Sequence, residues 1–331
     1  MKFVKFGLLL CAAMLSMMAT VGSTPVQAQK ALIIGFSQIG SESGWRSSET
    51  ASIKAEALKR GITLKFDDAQ QKQENQIKAV RSFIAQGVDG ILLAPVVETG
   101  WDAVLKEALD AKIPVVLVDR GVSADPSLYL TKVASDFVHE GRLAGSWLAQ
   151  RTNGICNIVE IQGTVGSSAA IDRQKGFADV LTLFPGMKII RTQSGDFTRT
   201  GGKTVMEAFL KAENGGKNIC AVWAHNDDMV LGAIQAIKDA GLKPSKDILT
   251  ISVDSVPDIF KAMADGEANA TVELSPDLGV PAFDAIIASK AGKDVPKWIV
   301  STSPMHFPDT AAAEYARRTA GAATAVATAA K

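Results

Sequence analysis

The sequence predicts an α/β protein built from two doubly wound parallel-sheet lobes. Three observations carry this. Apolar strand segments alternate with helix-length segments along the chain, the alternation restarts near Ala134 after about five strands, and most apolar runs end in a polar residue. At 331 residues the chain is long enough for two domains of ordinary size. A closed barrel is the competing architecture, but the strand count overshoots it and the pattern divides near Ala134.

The elements follow in order. A buried strand over 31–36 runs into the polar loop Gly40-Ser41-Glu42-Ser43-Gly44-Trp45-Arg46. A helix over 44–60 has Gly61 placed to end it, and a strand over 62–66 ends in Asp67-Asp68. Ile77, Val80, Phe83 and Ile84 mark a helix over 74–86. Then come a strand over 88–95, a helix over 99–111, a strand over 113–118 that runs into Asp119-Arg120, and a strand over 128–134. The second half repeats the pattern with helices at 136–150, 170–183, 202–213, 228–240 and 256–264. They alternate with strands at 156–161, 188–192, 219–224, 248–253 and 270–274. A helix over 277–291 precedes a strand near 298–302, and the Ala/Thr-rich tail after Ala311 reads as a fraying helix.

Lys+Arg and Asp+Glu both number 35, so no basic field points to nucleic acid. The first residues read as an export signal: a basic start through Lys5, an apolar run from Phe6 to about Val21, and small residues at Val26-Gln27-Ala28. A signal peptide over 1–28 is therefore expected, with the mature chain starting near Gln29 in the periplasm. A membrane anchor is disfavoured because the run is short and lacks a basic flank. Cys11 lacks the small residues before it that lipidation needs. Export leaves Cys156 and Cys220, which permits one disulfide. With three His and no Cys/His cluster, neither a metal nor another cofactor is expected.

Ligands of open parallel sheets bind beyond the carboxyl ends of the strands. Those ends deliver Ser37-Gln38, Asp67-Asp68, Asp119-Arg120, Gly163, Ser194, Asn226-Asp227, Asp254 and Glu273. Carboxylates, amides and guanidinium groups in this mixture suit a neutral polyol, whereas a phosphate calls mainly for cations and backbone amides. Asp and Asn after strands also serve as turn formers and helix caps. That reading competes at each single position and weakens for the set, with Arg46, Arg120 and Arg173 as added donors. Aromatics make up only 6% of the chain, and Trp45 and Phe197 stand in polar loops where a ring can cover a sugar face. Trp101, Trp147, Trp223 and Trp298 read as core.

Enzyme motifs are near misses. Gly40-Ser41-Glu42-Ser43-Gly44 has Glu42 where a nucleophile elbow needs Ser. The stretch from Phe197 to Thr204 lacks the first Gly of a phosphate loop. His225 has no visible triad partner, and a structural hydrogen bond is its expected role. No enzyme activity is expected.

Val118-Asp119-Arg120, Ile171-Asp172-Arg173, Gly195-Asp196-Phe197-Thr198-Arg199, Ala224-His225-Asn226-Asp227-Asp228-Met229 and Val253-Asp254-Ser255-Val256-Pro257-Asp258 resemble the sugar-binding segments of the ribose/galactose-type (type I) periplasmic binding proteins. The loop from Gly40 to Arg46 and the stretch from Gln70 to Arg81 are similar to the galactofuranose-binding branch of that family. The resemblance implies sugar contacts from Glu42, Ser43, Gly44, Trp45, Arg46, Asp119, Arg120, Arg173, Asn226 and Asp254, with Phe197 as a stacking ring. Ser41, Glu42, Trp45, Ala94 and Glu273 depart from the ribose-binding pattern, which turns the expectation from ribose to galactofuranose or a closely related monosaccharide, with Glu273 in the contact set.

The family also implies three hinge crossings, near Ala134, Ser275 and Thr302. The N-terminal lobe would comprise 29–134 and 276–301, and the C-terminal lobe 135–275 and 302–331. The strands starting at Cys156 and Ile219 would then be neighbours, and Cys156 and Cys220 are expected to pair. The implied function is that of the solute-binding component of an ABC sugar importer, closing by hinge motion. Its partners would be a permease and an ATPase, with a chemoreceptor as a further candidate, and the protein is expected to be a monomer. The rivals are a sugar-responsive regulator, which would carry a DNA-binding segment where this chain has a leader, and a secreted carbohydrate-active enzyme.

Overall fold

The computed structural model describes residues 31–329. The leader expected over 1–28, Cys11 included, lies outside the described residues.

The first sheet opens with β1 (Ile33–Gln38), α1 (Gly44–Lys59), β2 (Thr63–Asp68), α2 (Gln73–Ala85), β3 (Gly90–Leu93), α3 (Asp102–Asp110), β4 (Val115–Val118) and β5 (Thr131–Ser135). β3 and β4 are buried along their whole length, as befits strands covered on both faces. The chain then crosses into α4 (Phe137–Arg151), β6 (Ile155–Gln162), α5 (Ser168–Leu181), β7 (Gly186–Ser194), α6 (Arg199–Ala212), β8 (Ala221–Ala224), α7 (Asp227–Asp239), β9 (Leu249–Asp254), α8 (Pro257–Ala264) and β10 (Ala270–Glu273). It returns through α9 (Gly279–Lys290) and β11 (Trp298–Ser301), then crosses a third time into β12 (Met305–His306) and α10 (Pro308–Ala329).

Two six-stranded sheets result, ordered β11-β5-β4-β3-β1-β2 and β12-β10-β9-β8-β6-β7. All pairings are parallel except the one between β10 and β12. In each sheet the order reverses beside the first strand, between β1 and β3 and between β6 and β8. Such a switch point opens a crevice at the strands' carboxyl ends.

Local chemistry fixes where the helices begin at those ends. Ser43, Asp136, Ser167, Thr198 and Asn226 each cap a helix by accepting a backbone N–H three residues on. Close helix packing matters once for the site. A Cβ at Gly176 of α5 would lie 2.0 Å from the Val138 carbonyl of α4, so α4 and α5 approach as only glycine allows. That approach brings Glu140 of α4 to Arg173 of α5.

The sequence pattern and the structure differ in four places. The strand expected from 128 starts at Thr131, because Pro126–Leu128 forms a 3-10 turn capped by Asp125. The tail is a docked helix through its first turns: Ala311 is fully buried and Arg318 donates to the Ser255 carbonyl at 3.1 Å. The two-residue β12 carried no periodicity to read. Trp298, expected in the core, sits 38% exposed at a sheet edge, its Nε1 donating to the Ala134 carbonyl at 3.0 Å.

A disulfide joins Cys156 at the start of β6 to Cys220 just before β8, with Cα atoms 5.4 Å apart and a sequence separation of 64. It lies at the amino ends of neighbouring strands, away from the polar carboxyl ends. Replacing both cysteines by serine is expected to lower unfolding free energy by about 2–4 kcal/mol in urea denaturation, by releasing the constraint on the unfolded chain. Ligand affinity should not change.

Candidate functional site

The carboxyl ends of the two sheets face each other across a small, tightly closed polar cavity. The N-terminal lobe contributes Glu42, Ser43, Trp45, Arg46, Asp119 and Arg120. Ala169, Arg173, Phe197, Asn226 and Asp254 come from the other lobe, and Leu274 from the second crossing.

On the first lobe the organising group is Arg46, in the first turn of α1. Its Nε bonds Glu42 at 3.1 Å, its Nη2 bonds Asp119 at 2.7 Å, and its Nη1 bonds Glu49. Burial works against its charge, but Glu49, Asp119 and Glu42 more than offset this and raise its pKa further. Glu49 is itself pushed up by burial, with Arg46 pulling the other way. Gln38, at the end of β1, steadies Glu49 from behind through a 3.0 Å bond. Arg46 was expected to donate to the ligand; each of its three nitrogens bonds a carboxylate, so it presents Glu42 and Asp119 to the cavity it also lines, and Nη1 and Nη2 each keep a second hydrogen. Arg120 donates to the Val96 carbonyl at 3.0 Å and lies 4.9 Å from the centre of the Phe197 ring. Burial, and then Arg46 nearby, lower its pKa to about 10, so it remains a cation at neutral pH.

On the second lobe Arg173 donates to Glu140 at 2.9 Å and to the His225 carbonyl at 2.7 Å, with Nη2 reaching within 4.0 Å of Asp254. Burial raises the pKa of both Glu140 and Asp254, and Arg173 counteracts it in each. Asn226 accepts the Met229 N–H as helix cap and donates to the Phe197 carbonyl at 3.1 Å, which leaves one amide hydrogen for a ligand. His225 bonds Glu160 at 3.2 Å, a structural pairing, and burial lowers its pKa.

Three residues that line the cavity have left-handed backbone. Asp119, Phe197 and Asp254 have φ of +64°, +60° and +124°. For a bulky residue such as Phe197 this is strained. Its ring is admitted by Gly163 at the end of β6, where a Cβ would fall 1.9 Å from Cζ.

Two residues of the expected contact set lie elsewhere. The Gly44 N–H points away from the cavity and donates to Asp228 Oδ2 at 2.8 Å. Glu273 is held by His306 and Arg318, both at 2.6 Å, beside a separate cavity that Trp45 and Asp254 also border. Its partners come from β12 and the docked part of α10, the two elements the sequence pattern did not resolve. Trp45 lines the cavity with its Nε1 bonded to the Leu274 carbonyl at 2.6 Å. Sequence reasoning missed Ala169, Leu274, Glu49 and Glu140. The last two are single acidic residues within helices, with no positional signal.

Four buried polar atoms of cavity residues have no hydrogen-bond partner: the acceptors Glu42 Oε2 and Asp119 Oδ1, and the donors Arg120 Nε and Arg173 Nη2. Buried polar groups of this kind are costly unless a ligand satisfies them. A hydroxyl both donates and accepts, so a compact polyol serves both pairs.

Two α/β lobes enclosing such a cavity define a two-lobed ligand-capture protein. The chain belongs to the periplasmic binding protein domain family, which it matches over residues 34–293. It is 63% identical over 290 residues to the galactofuranose-binding protein YtfQ of Escherichia coli K12, covering 87% of this chain and 91% of that one. A solved component of the arabinose ABC transporter from Shewanella sp. ANA-3, bound to L-arabinofuranose, superimposes with a TM-score of 0.86 at 64% identity, over 88% of this chain and 97% of that one. A Mycobacterium smegmatis protein in complex with β-D-fucofuranose gives 0.84 at 47% identity, over 89% and 97%.

The Arg46 cluster yields a pH-dependent prediction. Arg46→Ala leaves Glu42, Glu49 and Asp119 buried without their counterion, which costs about 3–5 kcal/mol of stability at pH 7. Glu49, already pushed up by burial, then loses the cation that holds its pKa down, so the folded state binds more protons and stability falls as pH rises. The deficit against wild type, measured by urea denaturation, is expected to be smaller at pH 5 than at pH 8.

Proposed function

We propose that this protein is the periplasmic solute-binding component of an ABC sugar importer and takes one monosaccharide, galactofuranose or a closely related furanose. The observation that carries the reading is the balanced set of two unpartnered acceptors and two unpartnered donors on residues that line one closed cavity between the sheets. A sugar acid or phosphate would bring charge toward Glu42, Asp119 and Asp254, so neutral hydroxyls are the better complement. The furanose assignment draws on what the relatives bind. Glu42, Ser43, Asp119, Arg120, Arg173, Asn226 and Asp254 take the hydroxyls, and Trp45 and Phe197 bound the ring; Gly44 and Glu273 act outside the cavity.

The lobes, 29–134 with 276–301 and 135–275 with 302–331, close about the three crossings, and the sugar stabilises the closed state by touching both. The closed form delivers it to a permease and its ATPase, with a chemoreceptor as a further reader. The protein acts as a monomer, exported by a signal peptide cleaved near Gln29, and it releases the sugar chemically unchanged.

The test is calorimetric titration with galactofuranose, arabinofuranose, ribose and galactopyranose. A scavenging importer predicts furanose Kd values of order micromolar, about −8 kcal/mol, weaker binding of the pyranose, and recovery of intact sugar. Absence of binding to all four, or turnover of the sugar, overturns the reading. In the same assay Gly163→Ala is expected to displace Phe197 and weaken furanose binding by about tenfold, ~1.4 kcal/mol.

A further inference from the structure

We propose that Asp228 is a cross-cleft latch: its carboxylate, on the first turn of α7 in one lobe, caps the N-terminus of α1 in the other, and so retains the bound sugar without touching it. This rests on the sugar-binding reading above.

Gly44 is the first residue of α1, and its N–H is one of the donors that a helix leaves unpaired at its start. Ser43 caps Arg46 instead, so the Gly44 N–H needs a partner from outside its own lobe. Asp228 Oδ2 supplies it at 2.8 Å. The carboxylate is 6% exposed and is aimed from within its own lobe, since Arg199 Nε donates to Oδ1 at 3.1 Å while Arg199 Nη2 reaches Asp258 at 2.9 Å. An anion at a helix N-terminus joined by a charge-assisted hydrogen bond is a favourable pairing, and here it exists only while the lobes are together.

Its position ties it to ligand exchange. Gly44 lies between Ser43 and Trp45, both of which line the cavity. Opening the cleft must break this bond before the sugar can leave. On the far flank the cross-lobe hydrogen bonds are neutral, from the Gly121 N–H to Ser168 Oγ and from the Glu98 N–H to the Gly166 carbonyl, both at 2.9 Å, and the opposite charges of Lys132 and Asp172 act on each other nearby. Asp228 therefore makes the one charge-assisted hydrogen bond among these three. Because the bond forms only on closure, a sugar entering the open cleft does not meet it, and its effect belongs in the dissociation rate.

Stopped-flow binding of a furanose sugar to the full mature protein tests this. Asp228→Ala is expected to raise the dissociation rate about tenfold and leave the association rate within about twofold. Asp228→Asn, which keeps an acceptor oxygen without the charge, should fall between. Gly44→Pro removes the donor from the other side; proline suits the first helical position, and Ser43 already has the extended conformation that a following proline requires. Its effect should largely vanish in an Asp228→Ala background, as it must if the two groups act as a pair. The latch is overturned if Asp228→Ala leaves the dissociation rate unchanged, if the loss appears in association, or if the two substitutions are additive. A wild-type protein that binds no sugar fails the underlying reading, whereas wild-type binding with unaltered variants fails the latch alone.

Discussion

The buried guanidinium of Arg46 is the constraint on which the cleft depends. Three carboxylates surround it, and none of the four groups is tolerable in a protein interior without the others. The cluster ties α1 to the end of β4 and sets Glu42 and Asp119 at the cavity, each with one oxygen bonded and one free. The second lobe repeats the device at lower charge: Glu140 holds Arg173, which turns one nitrogen toward Asp254. The ligand thus meets groups whose orientation was settled on folding.

The same cluster connects to the hinge. Glu140 also accepts from Ser303 in the third crossing, and Ser303 bonds Ser135 in the first. Trp45 reaches the Leu274 carbonyl in the second. The crossings that would bend during closure are therefore in hydrogen-bond contact with residues that line the cavity or hold its lining. On the proposed function, ligand capture and lobe closure share one network, which the Asp228–Gly44 bond extends to the rim.

Much of this was legible in the sequence, because the rule that places ligands beyond strand ends needs only the ends of apolar runs. Asp119-Arg120, Asn226 and Asp254 were found that way, and Trp45 and Phe197 because aromatics are rare in this chain. The roles were harder to read than the positions. Whether Arg46 faces a sugar or a carboxylate depends on Glu49, one turn along a helix and indistinguishable by pattern from a solvated glutamate. Glu273 stands at a strand end as the rule requires, yet His306 of β12 and Arg318 of the docked C-terminal helix claim it. Gly163 was noted as a strand end, but its purpose, space for the Phe197 ring, shows only when β6 and the loop after β7 are side by side.

The central claim is that the ligand's hydroxyls complete the hydrogen bonding of four buried groups. Titration with single-deoxy derivatives of the bound furanose tests it most directly. Removing a hydroxyl that meets one of these groups leaves a buried charge partly unpaired, and the account predicts a loss of at least about tenfold in affinity for each such position. Deoxy sugars that bind as tightly as the parent at every position would contradict it.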